Sequence, residues 1–276
     1  MSPSQMKDEL AEAREICRSN LVKQVMMDNQ IATSFGLRLC LSAEIPLLAK
    51  RAGYSAVLMN LEHAPIGIET MRDISVACLN VGITPMVVVP TCEAQWISRC
   101  LDSGAQAIVV PHVNNVEEAK VCVNAAKYPP LGRRSLTMAQ PITQYTTHIP
   151  HQLVAQVIND NVMIMPMIET AEGVSNADLG IAGQYDTDGF HKAIDSISTA
   201  ARNASVNGRK VFVGLGGLEG RPDLLETFAR QYPNIRFTMA GRDLSVLAAG
   251  MSRQLESISG ISFRIQGSEV QNVKAT

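Results

Sequence analysis

The chain of 276 residues is long enough for two domains of average size or for one α/β barrel, which commonly runs to about 250 residues. Hydrophobic residues make up 46% of it and charged residues 18%, a composition that excludes disordered, collagen-like and tail-dominated proteins. The formal net charge is −2, and no basic run is longer than a pair such as Arg133 and Arg134. The sequence lacks the cationic stripe that nucleic acid binding requires, so no nucleic acid partner is expected.

The cysteines and the N-terminal segment indicate a soluble protein of a reducing compartment. The six cysteines contain no C-x-x-C pair, and a chain of this size needs no disulfides for stability, so we expect reduced and mostly buried thiols. Residues 2–29 carry charges where a signal peptide would be apolar, and nowhere do about 18 uncharged apolar residues follow one another. We expect a cytoplasmic protein with no membrane partner.

Residues 1–30 predict an amphipathic helix that leads into the main domain. Their apolar side chains recur at spacings of three and four, which places them on one face of a helix. A single main domain is expected at residues 31–260, followed by a C-terminal tail at 261–276.

Seven short apolar segments of the main domain predict β-strands, and helical patterns that end near a glycine follow most of them. After the first strand, Ser42 is expected to cap a helix that Gly53 ends. Apolar strands that alternate with helices indicate a parallel sheet covered on both faces, as in a TIM-type (β/α) barrel. The predicted strands are residues 35–41, 55–60, 84–89, 107–111, 162–168, 211–215 and 235–239.

One strand of such a barrel is missing from the pattern, because a closed (β/α) barrel has eight strands and the sequence predicts seven. The interval between the strands that begin at residues 162 and 211 is long enough for two βα units of about 30 residues. Residues 169–189, however, contain no apolar run. We therefore expect an α/β barrel that lacks one βα unit, the sixth, and that exposes the edges of two strands.

Functional groups of (β/α) barrels cluster at the C-terminal ends of strands, so the residues directly after each predicted strand are the candidates. His63, preceded by Glu62, follows the second strand, and an imidazole oriented by a carboxylate can act as a general acid or base. A capping or surface histidine is the alternative. His112 follows the fourth strand. Glu169 ends the fifth apolar run, where its carboxylate suits either a hard cation such as Mg²⁺ or the hydrogen bonds of a loop.

Five motifs follow one another along residues 35–254 and together resemble a known family. They are LMNLEHAP at 58–65, TPMVVVP at 84–90, KYPPLGRRS at 127–135, MIET at 167–170 with Gly173 and Asn176, and AGRD at 240–243. In this order they resemble the HpcH/HpaI aldolase family. That family is the class II pyruvate aldolase branch of the citrate lyase β-like superfamily, to which macrophomate synthase also belongs.

The resemblance implies a carbon–carbon lyase that acts on a small 2-oxo acid through a pyruvate enolate. It implies a divalent metal, Mg²⁺ or Mn²⁺, that stabilises the enolate charge while a histidine transfers a proton. By motif position the histidine is His63 and the first metal ligand is Glu169. Asp178 is a candidate second ligand, and His112 is a candidate substrate-binding residue. A homo-oligomer is also implied, in which the N-terminal helix or the region after Gly241 covers a neighbour.

Three features depart from the family pattern. Asn60 stands where the family has an aspartate before the histidine, and Val88 stands where it has an arginine that holds the keto oxygen. The missing sixth unit would carry a second metal carboxylate and the backbone amides that bind the pyruvate carboxylate. Two functions therefore stay open: an aldolase with impaired activity, or a catalytically degenerate paralogue or truncated gene product that serves as a structural subunit of an oligomer.

Overall fold

The centre of the molecule is a parallel β-sheet. A computed structural model describes residues 3–169, 184–206 and 208–273. The sheet formed by these residues has seven strands, all parallel to their neighbours, in the spatial order β5-β4-β3-β2-β1-β7-β6. The strands are β1 (Ala32–Leu37), β2 (Ala56–Asn60), β3 (Thr84–Val88), β4 (Ala107–Val110), β5 (Met163–Pro166), β6 (Val213–Leu215) and β7 (Ile235–Arg242). The predicted parallel sheet of seven strands is confirmed in this part of the chain.

Helices precede the sheet, connect its strands and follow it. Two helices come before β1, and the connections between consecutive strands contain at least one helix each within the described residues. The helices are α1 (Pro3–Ile16), α2 (Leu21–Met27), α3 (Ile45–Arg51), α4 (Ile68–Val81), α5 (Ala94–Asp102), α6 (Val116–Ala126), α7 (His151–Asn161), α8 (Asp188–Asn203), α9 (Pro222–Gln231) and α10 (Asp243–Val273). A short 3₁₀ helix, Pro141–Thr143, lies in the long proline-containing loop before α7.

The central strands β3 and β4 bury both of their faces, which explains why they are continuously apolar. On β3, Val87 packs into the same cluster as residues of α4, α5 and α6, on the face that the helices cover. Met86 and Val88 point to the opposite face, where they pack with Val109 of β4 and Phe237 of β7. Parallel strands covered on both faces carry apolar residues at successive positions rather than at alternate ones.

The sheet curls as a half-barrel and matches the fold class expected from the sequence. Within the described residues, β5 pairs only with β4 and β6 pairs only with β7, so these two strands form the ends of the strand order. The sixth βα unit, predicted to be missing from residues 169–189, falls mostly on residues 170–183, which lie outside the described residues. The predicted division into a domain at 31–260 with flanking segments stays a prediction.

The N-terminal segment forms two helices, so the prediction of one lead-in helix over residues 1–30 is wrong. Asn20 separates α1 from α2 and caps α2, because its side-chain oxygen accepts a hydrogen bond from the Lys23 amide at 3.0 Å. Its Nδ2 donates to the backbone oxygens of Gln106 and Asn161 at 3.2 and 2.9 Å. Asn20 is buried, so these bonds fix the turn between the helices.

The C-terminal segment also differs from the prediction, since α10 continues to Val273 through most of the tail expected at 261–276. Large apolar side chains are exposed along its first half and just beyond it: Leu244, Val246, Leu247, Met251, Leu255, Ile258 and Ile261. Although α10 is long, no helix of the described residues combines the length and the apolarity needed to cross a membrane.

The first strand ends earlier than predicted. β1 stops at Leu37, and the amides of Arg38, Leu39 and Cys40 donate to one carboxylate oxygen of Asp243 at 2.8, 2.6 and 2.8 Å. These amides are therefore not available to a strand. Ser42 is not the cap of the following helix, because α3 begins only at Ile45 and Ser42 Oγ instead accepts a hydrogen bond from the Glu44 amide at 3.2 Å.

Candidate active site

Polar side chains gather at the C-terminal edge of the sheet, where the parallel strands all end. Glu62 and His63 follow β2, His112 follows β4, and Glu169 follows β5. These residues come from separate motifs of the sequence, and strand order brings them together. This edge is the position at which (β/α) barrels carry their functional groups.

Glu62 joins the two histidines. Its Oε2 lies 3.5 Å from His63 Nε2, and its Oε1 lies 3.4 Å from His112 Nε2. Glu62 is largely buried, with 13% of its side chain exposed, whereas both imidazoles are mostly exposed. Because β3 lies between β2 and β4, this contact passes over the end of β3, close to Val88.

Glu169 completes the row from the other side of His112. Its Oε1 lies 3.5 Å from His112 Nδ1 and accepts a hydrogen bond from the His112 backbone amide at 3.0 Å. His112 has a φ of 53°, a left-handed conformation that is uncommon for a residue with a Cβ. Asn114 Nδ2 donates to the His112 carbonyl oxygen at 2.9 Å, so both backbone polar groups of His112 are bonded in this strained turn.

His63 receives its carboxylate neighbour from position 62 rather than from position 60. Asn60 Oδ1 accepts a hydrogen bond from the His63 backbone amide at 2.7 Å, so the residue that replaces the family's aspartate supports the loop backbone. Arg38 Nη2 donates to the His63 carbonyl oxygen at 3.1 Å. His63 thus sits between a carboxylate at its ring and a guanidinium at its backbone.

Val88 is buried, with 3% of its surface exposed, at the end of β3. It packs on the concave face of the sheet with Met86 and Val109, and its side chain offers no hydrogen-bond donor. The arginine expected there from the resemblance is thus replaced by an apolar contact. The half-buried Arg38, at the end of β1, is the cation that lies beside His63 instead.

Glu169 is the predicted metal ligand that lies among the described residues. Glu169 has one third of its side chain exposed, and carboxylate oxygens are ligands that Mg²⁺ and Mn²⁺ prefer. No group of three or more histidine, cysteine, aspartate or glutamate side chains in residues 3–169, 184–206 and 208–273 could hold a metal ion. The other predicted ligand, Asp178, lies outside these residues. The described side chains alone therefore do not form a complete metal site.

The arrangement alternates imidazoles and carboxylates in the order His63, Glu62, His112, Glu169. A carboxylate next to an imidazole can orient its ring, and an oriented imidazole can accept a proton from a bound molecule or donate one to it. The expectation that functional residues follow the strands identifies three of these four residues, His63, His112 and Glu169. The sequence shows Glu62 only as the neighbour of His63, and nothing in it indicates that Glu62 also contacts His112.

Comparisons with known proteins identify the family of the chain. The chain belongs to the HpcH/HpaI aldolase/citrate lyase family, which it matches over residues 42–189, more than half of its length. It is 27% identical over 268 residues to 4-hydroxy-4-methyl-2-oxoglutarate aldolase tasA of Hapsidospora irregularis, covering 89% of this chain and 97% of the relative. The family expected from the motifs is confirmed, and with it the class of enzyme, a carbon–carbon lyase of the aldolase type.

Solved structures show the same fold. An HpcH/HpaI aldolase from Desulfitobacterium hafniense DCB-2 matches with a TM-score of 0.75 at 21% identity, covering 86% of this chain and 95% of the other. Macrophomate synthase matches with a TM-score of 0.67 at 24% identity, covering 89% of this chain and 92% of the other. The chain therefore shares a barrel-type fold with both proteins.

Proposed function

We propose that this aldolase forms or cleaves a carbon–carbon bond next to the keto group of a small 2-oxo acid. The observation that carries the proposal is the row of His63, Glu62, His112 and Glu169 at the C-terminal edge of the sheet. A 2-oxo acid is also the substrate type in the name of the fungal relative, a 4-hydroxy-4-methyl-2-oxoglutarate aldolase. The six free cysteines fit a reducing environment, so the cytoplasm is the proposed location.

In this proposal His63 moves the proton that an aldol step requires. Its ring is mostly exposed and can reach a bound molecule, while Glu62 holds it from the protein side. His112 binds the substrate next to Glu169. Arg38 adds a positive charge at the same edge, which complements the carboxylate of a 2-oxo acid.

Replacing His63 tests the proposed proton transfer. Pyruvate release from a 4-hydroxy-2-oxo acid is measured with Mn²⁺ present, for the wild type and for His63→Ala. Loss of a general acid or base lowers kcat by about a hundredfold or more, and we expect that loss here. His148→Ala is the matched control, because His148 is similarly exposed but pairs with Glu12 of α1. A wild-type rate that does not respond to His63→Ala would show that the active site lies elsewhere.

We also propose that a divalent cation, Mg²⁺ or Mn²⁺, binds at Glu169, with Asp178 as a second ligand. Bound there, the cation would supply Lewis-acid stabilisation of an enolate. Calorimetry with either ion, for the wild type, Glu169→Ala and Asp178→Ala, measures binding directly. We expect weak binding that Glu169→Ala abolishes and that Glu117→Ala, a change at an exposed glutamate of α6, leaves intact. Unchanged affinity in Glu169→Ala would contradict the assignment.

A homo-oligomer is the proposed state of the chain, with the first half of α10 against a neighbouring copy. The exposed apolar side chains of this helix make a surface that water solvates poorly. Light scattering at micromolar concentration tests this, and a monomer would contradict it. An oligomer that releases no pyruvate with either metal would instead support the structural-subunit alternative.

A further inference from the structure

Two cysteines lie side by side at the border between α5 and α6. Cys92 is in the loop between β3 and α5, and Cys122 is in the middle of α6. Their Sγ atoms are 3.3 Å apart, although 30 residues separate them in the sequence. Among the described residues, which include all six cysteines, no other pair of thiols is in hydrogen-bonding contact.

The two thiols differ in their access to solvent. Cys122 is completely buried, whereas Cys92 is only partly buried in the loop. Burial, and to a smaller extent the nearby Cys92, raise the pKa of the Cys122 thiol to about 12. Because the thiolate is the nucleophile in disulfide exchange, the accessible Cys92 is the group that meets a reagent from solution.

The geometry needs little change to form a bond. A disulfide has an S–S length of about 2.0 Å, so the two sulfur atoms must approach by about 1.3 Å. Each thiol can contribute to this approach by rotating about its Cα–Cβ bond. Cys92 starts from a loop, where its Sγ contacts the Glu118 carbonyl oxygen at 3.7 Å, and a loop adjusts more easily than the middle of a helix.

We propose that Cys92 and Cys122 are a thiol–disulfide modification site, at which a low-molecular-weight disulfide such as oxidised glutathione converts the two thiols reversibly into an intramolecular disulfide. This inference uses only the two cysteines and their surroundings, and it does not rest on the proposed aldolase function.

The exchange takes place in two steps. The Cys92 thiol releases its proton to solvent, and the thiolate attacks one sulfur of oxidised glutathione. A mixed disulfide forms while the S–S bond of glutathione breaks, and the leaving thiolate takes up a proton. Cys122 then loses its proton and attacks the Cys92 sulfur, which releases the second glutathione as a thiol. The two protein thiols are oxidised, and one glutathione disulfide is reduced to two thiols.

The bond would join the β3–α5 loop to α6 close to the candidate active site. Glu118, one turn before Cys122, accepts a hydrogen bond from the Asn114 amide at 2.8 Å, and Asn114 in turn bonds the His112 carbonyl oxygen. A tether between Cys92 and Cys122 therefore limits the motion of α6 and of the loop that carries His112.

The test uses the full chain in glutathione buffers of increasing oxidation, followed by acid quenching, alkylation and tryptic mass spectrometry. We expect a disulfide between the tryptic peptide 73–99 and the peptide 121–127, with Cys78 in the first peptide still alkylated. Addition of reduced glutathione should restore both thiols. Amide hydrogen exchange of residues 113–118 should slow in the oxidised protein.

Single substitutions separate the role of Cys92, which attacks the glutathione disulfide, from that of Cys122, which resolves the mixed disulfide. In Cys122→Ser the attack at Cys92 still occurs but nothing resolves it, so Cys92 should accumulate as a mixed disulfide with glutathione. In Cys92→Ser, the buried Cys122 should stay unmodified. Cys40→Ser, a change at the other partly buried cysteine, should leave the disulfide intact. The proposal fails if both thiols of the folded wild type stay reduced in the most oxidising buffer, if a different pair of cysteines forms the bond, or if hydrogen exchange does not change.

Discussion

The two halves of the sheet differ in the apolar cluster against which each packs and in the candidate site residues that each carries. The half formed by β1 to β5 packs against α3 to α7 through one large apolar cluster that extends from α1 to the residue before β5. The half formed by β6 and β7 packs against α8 and α9 through a separate and smaller cluster. The candidate acid, base and metal-binding side chains follow β2, β4 and β5. The half with the larger apolar cluster therefore carries the candidate site residues, and the half with the smaller cluster completes the sheet.

The largest expected effect is on the smaller core. Phe228 of α9 has 1% of its surface exposed and contacts Phe190 and His191 of α8 edge to face. Phe228→Ala should lower the free energy of unfolding by about 3–5 kcal/mol, because it removes a buried ring and leaves a cavity. If the two cores are independent, the loss of hydrogen-exchange protection should be concentrated in α8, α9 and β6.

Ile108→Ala is the corresponding change in the larger core, at a completely buried residue of β4. Its loss of protection should be concentrated in β3, β4 and β5. If both variants lose protection uniformly over the whole sheet, the two halves unfold as one unit and the comparison does not hold.

The next largest effect is a loss of activity that we expect only from a substitution in the half formed by β1 to β5. Glu62→Gln removes the negative charge that joins the two histidines, and the rate of pyruvate release should fall by about a hundredfold, as for the loss of acid–base assistance. The reason is that a neutral amide can still contact both imidazoles but carries no negative charge. The measurement is kcat with Mn²⁺ present.

Glu219→Gln is the matched control, because Glu219 is also a partly buried carboxylate, but it pairs with Arg242 at the C-terminal edge of the other half, at 3.0 Å. Its rate should stay within a few fold of the wild type. Equal losses in Glu62→Gln and Glu219→Gln would mean that the active site includes both halves.

Asp243 links the halves, since it starts α10 after β7 and binds the loop after β1. Burial acts to raise the pKa of its carboxyl, but the hydrogen bonds from the amides of Cys40, Arg38, Leu39 and Leu244 outweigh it and lower the pKa below the ordinary value. Asp243→Asn should lower the free energy of unfolding by about 2 kcal/mol at neutral pH, because these amides lose a charged acceptor.

The pH dependence follows from the direction of this shift. A lowered folded-state pKa means that the stabilisation is fully present above the ordinary aspartate pKa of about 3.9 and is lost as the pH falls through the folded value. The stability difference between wild type and Asp243→Asn should therefore be constant from pH 7 to about pH 5 and shrink below about pH 4. Urea unfolding at several pH values measures this, and a difference that grows toward acid would refute the role of the charge.

The sequence predicted the elements that local pattern determines. The strands β2 to β5 lie within the predicted segments because each is a continuous apolar run. The pattern places β1 too late because residues 38–41 look like a strand, yet the amides of residues 38–40 bind Asp243, which lies about 200 residues further along the chain. The pattern does not predict that α10 continues to Val273, because Gly260 and Gly267 are of the residue type that commonly ends a helix.

The candidate site likewise has features that the local sequence pattern predicts and features that depend on contacts between distant residues. His63, His112 and Glu169 could be selected because each follows an apolar strand, and the parallel order then brings them together. The contact of Glu62 with His112 depends on the positions of two neighbouring strand ends and on two side-chain conformations, none of which appears in the sequence. Their catalytic and binding roles stay predictions.

The smallest expected effect is that of Val88→Arg, which restores the arginine of the family to the end of β3. Val88 is buried against Met86 and Val109, so a guanidinium at this position must either lose hydration or displace apolar neighbours. Loss of such a donor costs about 3 kcal/mol in related reactions, roughly a hundredfold in rate. The substitution alone should nevertheless recover only a small part of that factor, because it does not supply the amides and the second carboxylate that the resemblance assigns to the sixth βα unit, which the sequence predicts to be missing. A variant that combines Val88→Arg with an inserted βα unit before β6 should recover more. If Val88→Arg alone raised the rate of pyruvate release a hundredfold, the half formed by β1 to β5 would be sufficient for catalysis without the sixth unit.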